Sequence, residues 1–223
     1  MPSPGLDAVL ARIRAAEATH GRAPGAVSLL AASKQQDPAT IRRTAAAGQR
    51  AFGENYVQEA LPKMAALRDL DLNWHFIGRI QRNKTRDIAA HFDWVHTLDR
   101  LDIARRLSAQ RPADRPPLQV LIEVNVSGES SKGGLPPEAV AGFAAALRDL
   151  PGLVLRGLMC LPAPEDDFAR QRAAFARLRD LLVGLGDPAL DTLSMGTSSD
   201  LEAAIAEGAT LVRVGTAIFG ARA

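Results

Sequence analysis

Short apolar runs alternate along this chain with longer segments whose apolar residues recur every three to four positions. The runs read as strands at Val27–Ala32, Ala51–Gly53, Asn73–Ile77, Asp93–Thr97, Leu118–Asn125, Leu153–Met159, Asp191–Ser194 and Leu211–Val214. Between them the helical period predicts helices over Pro38–Ala47, Val57–Leu67, Asn83–His91, Arg100–Gln110, Pro137–Leu147, Asp167–Val183 and Asp200–Glu207. Several of these open on Asp, Asn or Ser as a cap. Leu6–Thr19 reads as an extra helix before the first strand. Strand–helix alternation calls for a parallel sheet covered by helices, and eight repeats in 223 residues predict a compact α/β fold, a (β/α)8 TIM-type barrel. A doubly wound open sheet is the competing architecture. Its glycine-rich phosphate signature is missing after the first strand, where Ser33-Lys34-Gln35-Gln36 stands instead. The proline-rich Arg111–Pro117 is too short for a linker, so residues 1–223 are expected to form one domain.

Composition narrows the setting. The single cysteine, Cys160, excludes an internal disulfide framework and a cysteine-based zinc cluster, and suits a reducing cytoplasm. The first residues, Met1 to Asp7, lack the basic and apolar pattern of a secretory signal, and no apolar run approaches the ~20 residues of a membrane span. Lys and Arg number 27 against 25 Asp and Glu, too near balance to imply nucleic acid, and aromatics at 4% offer few platforms for bases. The cluster Arg79, Arg82, Lys84 and Arg86 reads as a solvated face. His91 and His96 have no carboxylate at ligand spacing, so no metal site is expected.

In a parallel barrel the functional groups collect where strands end. Those ends carry Lys34, Asn55 with Tyr56, His75 with Gly78, Thr97, Asn125 with Ser127, Met159 with Pro162, Ser194 to Ser199, and Arg213 to Thr216. Lys34 follows an apolar strand. Apolar walls strip water from an ammonium and lower its pKa, as in lysines that form Schiff bases, although a strand-tip lysine can equally snorkel to water. The Ser194–Ser199 segment offers hydroxyls and backbone N–H groups ahead of a helix, which suits a phosphate, and its Ser-Asp also reads as an ordinary cap. Together with Arg213–Thr216 it occupies the loops after strands 7 and 8, where barrels of this type commonly hold phosphate. Asn55 can simply start a helix, and His75 can be a core histidine. The loop Ser127–Gly134 lacks the Gly-Lys-Ser/Thr order of a P-loop.

Ala32-Ser33-Lys34, the run Phe52 to Glu59, Trp74 to Gly78 with Gln81-x-Asn83-Lys84, Arg156-Gly157-Leu158-Met159, Leu193 to Gly196 and Val212 to Gly220 resemble the pyridoxal phosphate homeostasis protein family. The match runs in order from about residue 27 to 222. The resemblance implies an alanine-racemase-type barrel that binds pyridoxal 5'-phosphate as a Schiff base on Lys34, and no established turnover. It implies a role in buffering and handing over the cofactor and in keeping amino- and keto-acid pools in order. Carried over, Ser194, Gly196, Gly215 and Thr216 hold the phosphate, Asn55 and His75 face the ring, and Arg213 approaches the pyridine nitrogen. Met159 and Thr197 join the cofactor-binding set. The family pattern Met-Ser-x-Asp is replaced here by Thr197-Ser198-Ser199-Asp200, which keeps hydroxyls while making Thr197 and Ser199 less firm contacts. Lys132, on the glycine-rich loop, is a candidate to receive the cofactor during release.

The chemistry favours a carrier. An arginine at the pyridine nitrogen keeps it unprotonated and weakens the ring as an electron sink. Racemisation needs two bases, and beyond Lys34 the chain has one tyrosine, Tyr56. No catalytic residue is therefore assigned. The expected partners are pyridoxal phosphate and apo-enzymes that use it, with the chain a monomer. A small pyridoxal phosphate-dependent amino-acid racemase is the alternative, and a phosphosugar barrel enzyme in which Lys34 binds or attacks a carbonyl is a third reading.

Overall fold

The computed structural model describes residues 3–129 and 133–220. Eight strands, β1 (Ser28–Ala32), β2 (Ala51–Glu54), β3 (Asn73–Phe76), β4 (Trp94–Leu98), β5 (Leu118–Glu123), β6 (Leu153–Met159), β7 (Thr192–Ser194) and β8 (Leu211–Val214), form a closed parallel barrel in sequence order. β1 pairs with β8 from Ser28 opposite Leu211 to Ala31 opposite Val214, so no sheet edge is left open. The helices are α1 (Pro4–Thr19), α2 (Pro38–Ala46), α3 (Val57–Ala66), α4 (Thr85–His91), α5 (Leu101–Gln110), α6 (Val140–Leu147), α7 (Phe168–Gly184), α8 (Leu201–Ala206) and α9 (Thr216–Phe219). The barrel and the extra first helix match the fold that the hydrophobic pattern predicts.

Strands covered by helices on one side and packed inward on the other are buried on both faces, which is why they read as apolar runs. All five residues of β4 are buried. Outward residues such as Phe52, Trp74 and Phe76 join the large core beneath the helices, while Trp94, Leu121 and Met159 form a separate cluster. Asp37 and Asp167 cap α2 and α7 by accepting from the N–H groups of Thr40 (2.6 Å) and Arg170 (2.9 Å). α4 starts differently from expectation: a 3-10 turn, Arg82–Lys84, precedes it, and Asn83 lies within that turn. The four-residue α9 is absent from the pattern because one turn shows no period.

The extra helix α1 buries Leu6, Val9 and Ile13 and packs against α8 and α9. Arg12 on α1 pairs with Glu202 at 2.8 Å and donates to the Ser198 carbonyl at 3.0 Å. The helix thus braces the loops after β7 and β8. No helix among the described residues is long and apolar enough to cross a membrane.

Candidate functional site

A cavity of 640 Å³ opens at the C-terminal mouth of the barrel, where β1, β7 and β8 end. Lys34, Thr197 to Ser199, Arg213, Gly215 and Thr216 line it. Residues far apart in sequence meet here because ring closure puts β8 beside β1.

The position of Lys34 is set by the turn that leaves β1. The Gln36 N–H closes this turn onto the Ser33 carbonyl (3.0 Å), and the Ser33 N–H donates to the Gly53 carbonyl (2.9 Å). Gln35 holds φ at 63°, a left-handed conformation that costs a non-glycine residue about 1–2 kcal/mol. Its N–H donates to Glu59 at 3.3 Å. Beneath the turn lies a buried ion pair absent from the sequence expectations. Lys63 donates to both carboxylate oxygens of Glu54, each at 2.9 Å, and to the Ser33 carbonyl at 3.0 Å, while the Ser33 hydroxyl donates to Glu54 at 2.6 Å. Burial pushes the Glu54 carboxyl up, and hydrogen bonds from Ser33 and Lys63 pull it back.

The other side of the cavity is built from the last two βα loops. Gly196, with φ at 94°, passes so close to α8 that a Cβ there would lie 2.6 Å from that of Ala204. Asp200 stands at the N-cap position of α8, but its side chain makes no capping hydrogen bond. It accepts instead from the Thr197 N–H (2.6 Å) and the Thr197 hydroxyl (2.8 Å), folding the loop back on itself. Both Thr197 donors are therefore engaged, and Ser198 and Ser199 supply the remaining hydroxyls along this wall. At Gly215 a Cβ would sit 3.1 Å from the Ala32 carbonyl, so glycine lets the start of α9 close against the end of β1.

Arg213 reaches in from β8 and is 8% exposed. It donates to the Ser194 carbonyl and hydroxyl, both at 2.7 Å, and to the Cys160 carbonyl at 2.8 Å. Burial lowers its pKa, and the carboxylates of Asp200 and Glu123 act on it without bonding it. Of the five guanidinium N–H donors, the one on Nε and one on Nη2 have no partner among the described residues. A buried cation with no bonded counter-charge and donors to spare, on a cavity wall, suits an anionic or acceptor-bearing ligand.

The remaining expected site residues do not line this cavity. Ser194 is fully buried, and its hydroxyl meets Arg213 and, at 2.9 Å, His96. His75 faces the barrel interior, opposite to Trp74 and Phe76, and contacts His96 at 2.8 Å while stacking on Trp94 with centroids 5.4 Å apart. Met159 packs with Trp94 and Leu121. Asn55 lines a neighbouring 130 Å³ cavity with Tyr56, Gly78, Arg79 and Lys84. Lys132 lies outside the described residues. The sequence reading weighed His96 only as a metal ligand and passed over Glu54, Lys63 and Glu123. Burial, with Asp99 adding, pushes the Glu123 carboxyl up to about 7 at the end of β5.

A lysine and a buried arginine facing one cavity over phosphate-suited loops, on a (β/α)8 barrel, define the class. The chain matches the family described as alanine racemase, N-terminal domain, over residues 5–223. Within that class it belongs to the pyridoxal phosphate homeostasis protein family. The member from Pseudomonas aeruginosa is 62% identical over 214 residues, covering 96% of this chain and 93% of that relative. The member from Escherichia coli K12 is 51% identical over 216 residues, covering 95% and 92%. The PipY protein of Synechococcus elongatus, solved with PLP bound, superposes with a TM-score of 0.82 at 39% identity, over 93% of this chain and all of its own. Alanine racemase from Corynebacterium glutamicum shares the fold, with a TM-score of 0.67 at 21% identity over 97% of this chain and 61% of its own.

Proposed function

We propose that the cavity holds pyridoxal 5'-phosphate, attached covalently to Lys34, and that the protein carries and buffers this cofactor without turning over a substrate. The observation that carries the reading is the meeting of Lys34, the β7 and β8 loops and an uncompensated Arg213 in one cavity. The donor set fits the group. Ser198, Ser199, Thr216 and the backbone at Gly215 would hold the phosphate, and the two spare Arg213 donors would serve the ring nitrogen. The PLP-bound PipY structure and the names of the relatives support the same ligand.

When bound, pyridoxal phosphate supplies an aldehyde that joins reversibly to a primary amine. What this chain adds limits its further chemistry. Arg213 is a donor at every relevant pH, so it cannot serve a protonated pyridine nitrogen. Tyr56, the one tyrosine, is 55% exposed and lines the neighbouring cavity rather than this one. Under this reading the 1–223 barrel works as a monomeric unit in the cytoplasm, serving vitamin B6 and amino- and keto-acid balance. Apo-enzymes that need the cofactor are its recipients.

The test is the visible spectrum of the protein with pyridoxal phosphate, before and after borohydride, beside Lys34→Ala. A yellow band that borohydride traps in the wild type and that the variant lacks is expected. No band in the wild type would return the chain to phosphosugar chemistry. Loss of optical rotation from alanine or serine, faster than with free cofactor, would make it a racemase instead.

A further inference from the structure

We propose that Ser194, His96 and His75 are positioning residues, forming a buried one-way hydrogen-bond chain that holds the Arg213 guanidinium as a donor facing the cavity. The chain runs across the barrel interior from β8 through β7 and β4 to β3: Arg213 Nη1 to Ser194 Oγ at 2.7 Å, Ser194 Oγ to His96 Nδ1 at 2.9 Å, and His96 Nε2 to His75 Nδ1 at 2.8 Å. His96 and Ser194 are fully buried and His75 is 3% exposed, so each link forms away from water.

Its direction follows from proton counting. Arg213 can only donate, so Ser194 Oγ accepts from it. The hydroxyl proton then needs an acceptor, and His96 Nδ1 is the one the geometry provides. Burial lowers the pKa of His96 well below its ordinary value and that of His75 to about 3, so both rings are neutral. With Nδ1 accepting, the His96 proton sits on Nε2 and is donated to His75 Nδ1. The His75 proton therefore sits on Nε2, a buried atom with no hydrogen-bond partner. The reverse direction would strand two groups, the Ser194 hydroxyl proton and a bare His75 Nε2, where the forward one strands a single N–H. Buried polar groups left unpaired are costly, so the forward direction prevails.

The chain acts on the site through Arg213. Three of the five guanidinium donors are anchored, two of them on Ser194, and the anchored side fixes where the other two point. Ser194 in turn keeps its orientation only while His96 takes its proton. Trp94, stacked on His75 within 4° of coplanar, holds the far end of the chain in place. Neither histidine lines the cavity, so neither touches a ligand there.

The effect on a ligand rests on the pyridoxal phosphate reading above, whereas the chain itself does not, and the test separates the two. Side-chain 15N NMR of the ligand-free protein at pH 7 is expected to show His75 and His96 as neutral Nε2–H tautomers. A charged ring, or the proton on Nδ1 of His96, would overturn the proposal. In parallel, pyridoxal phosphate is titrated into wild type, His96→Phe and His96→Asn, following affinity and the position of the visible band. His96→Phe removes the acceptor for Ser194, so affinity is expected to fall about tenfold, the scale of one buried hydroxyl left unpaired, with a shifted band. His96→Asn, whose amide oxygen can stand in for Nδ1, is expected to restore most of both. Wild-type binding with an unchanged His96→Phe affinity and band would refute the positioning role. Failure of the wild type to bind would sink the ligand reading, and the NMR tautomers would still decide the chain.

Discussion

Replacing Lys63 with methionine removes one cation from a site that excludes water. The Lys63 and Glu54 side chains are 9% and 0% exposed, and Nζ makes three bonds of 2.9–3.0 Å, two to the carboxylate and one to the Ser33 carbonyl. Methionine fills much the same volume, so the loss is electrostatic. Breaking one partner of a buried pair strands the other charge and costs about 3–5 kcal/mol. For a chain of this size that lowers Tm by about 6–20 °C. The loss should shrink toward pH 5, because Glu54, already pushed up by burial, takes on a proton once its cation is gone. Urea unfolding at pH 7.5 and pH 5, with the m-value held constant, measures both effects. Adding Glu54→Leu to Lys63→Met should recover most of the loss, since no charge is then stranded. A fall in Tm of less than about 3 °C at pH 7.5 would refute the buried-pair argument.

Two further outcomes follow from the same geometry. The Glu123 carboxyl is raised to about 7 in the folded chain. Its stabilising contribution is therefore full below pH 4.5 and is lost as pH rises through 7. Glu123→Gln should gain up to about 3 kcal/mol on the wild type at pH 8.5 relative to pH 4.5, read as the difference between two unfolding series. Gly196→Ala should lose about 1–3 kcal/mol, because its Cβ meets Ala204 at 2.6 Å with φ at 94°, and thermal unfolding of the two proteins will show it.

Features that depend on neighbours in sequence were legible before the structure. β6 and β8 carry the bounds that their apolar runs predict, and β5 ends at Glu123 rather than Asn125, where the ladder gives way to an isolated bridge at Val124. Lys34 was legible because it follows an apolar strand directly. The cavity wall was legible as two loops, but not the use of Asp200 to fold Thr197 back. The interior chain was not legible at all. Its links span 19, 98 and 21 residues, and which inward side chains meet across a closed barrel depends on tilt and register. Ser194 shows the consequence: its place in the chain suggested a ligand contact, while its orientation gives it to Arg213. Lys63 gave no signal, because a lysine on an amphipathic helix is indistinguishable from a solvated one until its carboxylate is found nine residues earlier.

The pairing of β1 with β8 gives the molecule a built-in order of events. Lys34 is made well before Arg213, Gly215 and Thr216, because β1 is the first strand in the chain and β8 the last of the eight. Until the final strand zips onto the first, the lysine has neither its arginine nor its second loop. If the cavity holds the proposed cofactor, loading reports that the whole ring has been completed, because a chain that stalls or is clipped before β8 has Lys34 without the opposite wall of the cavity.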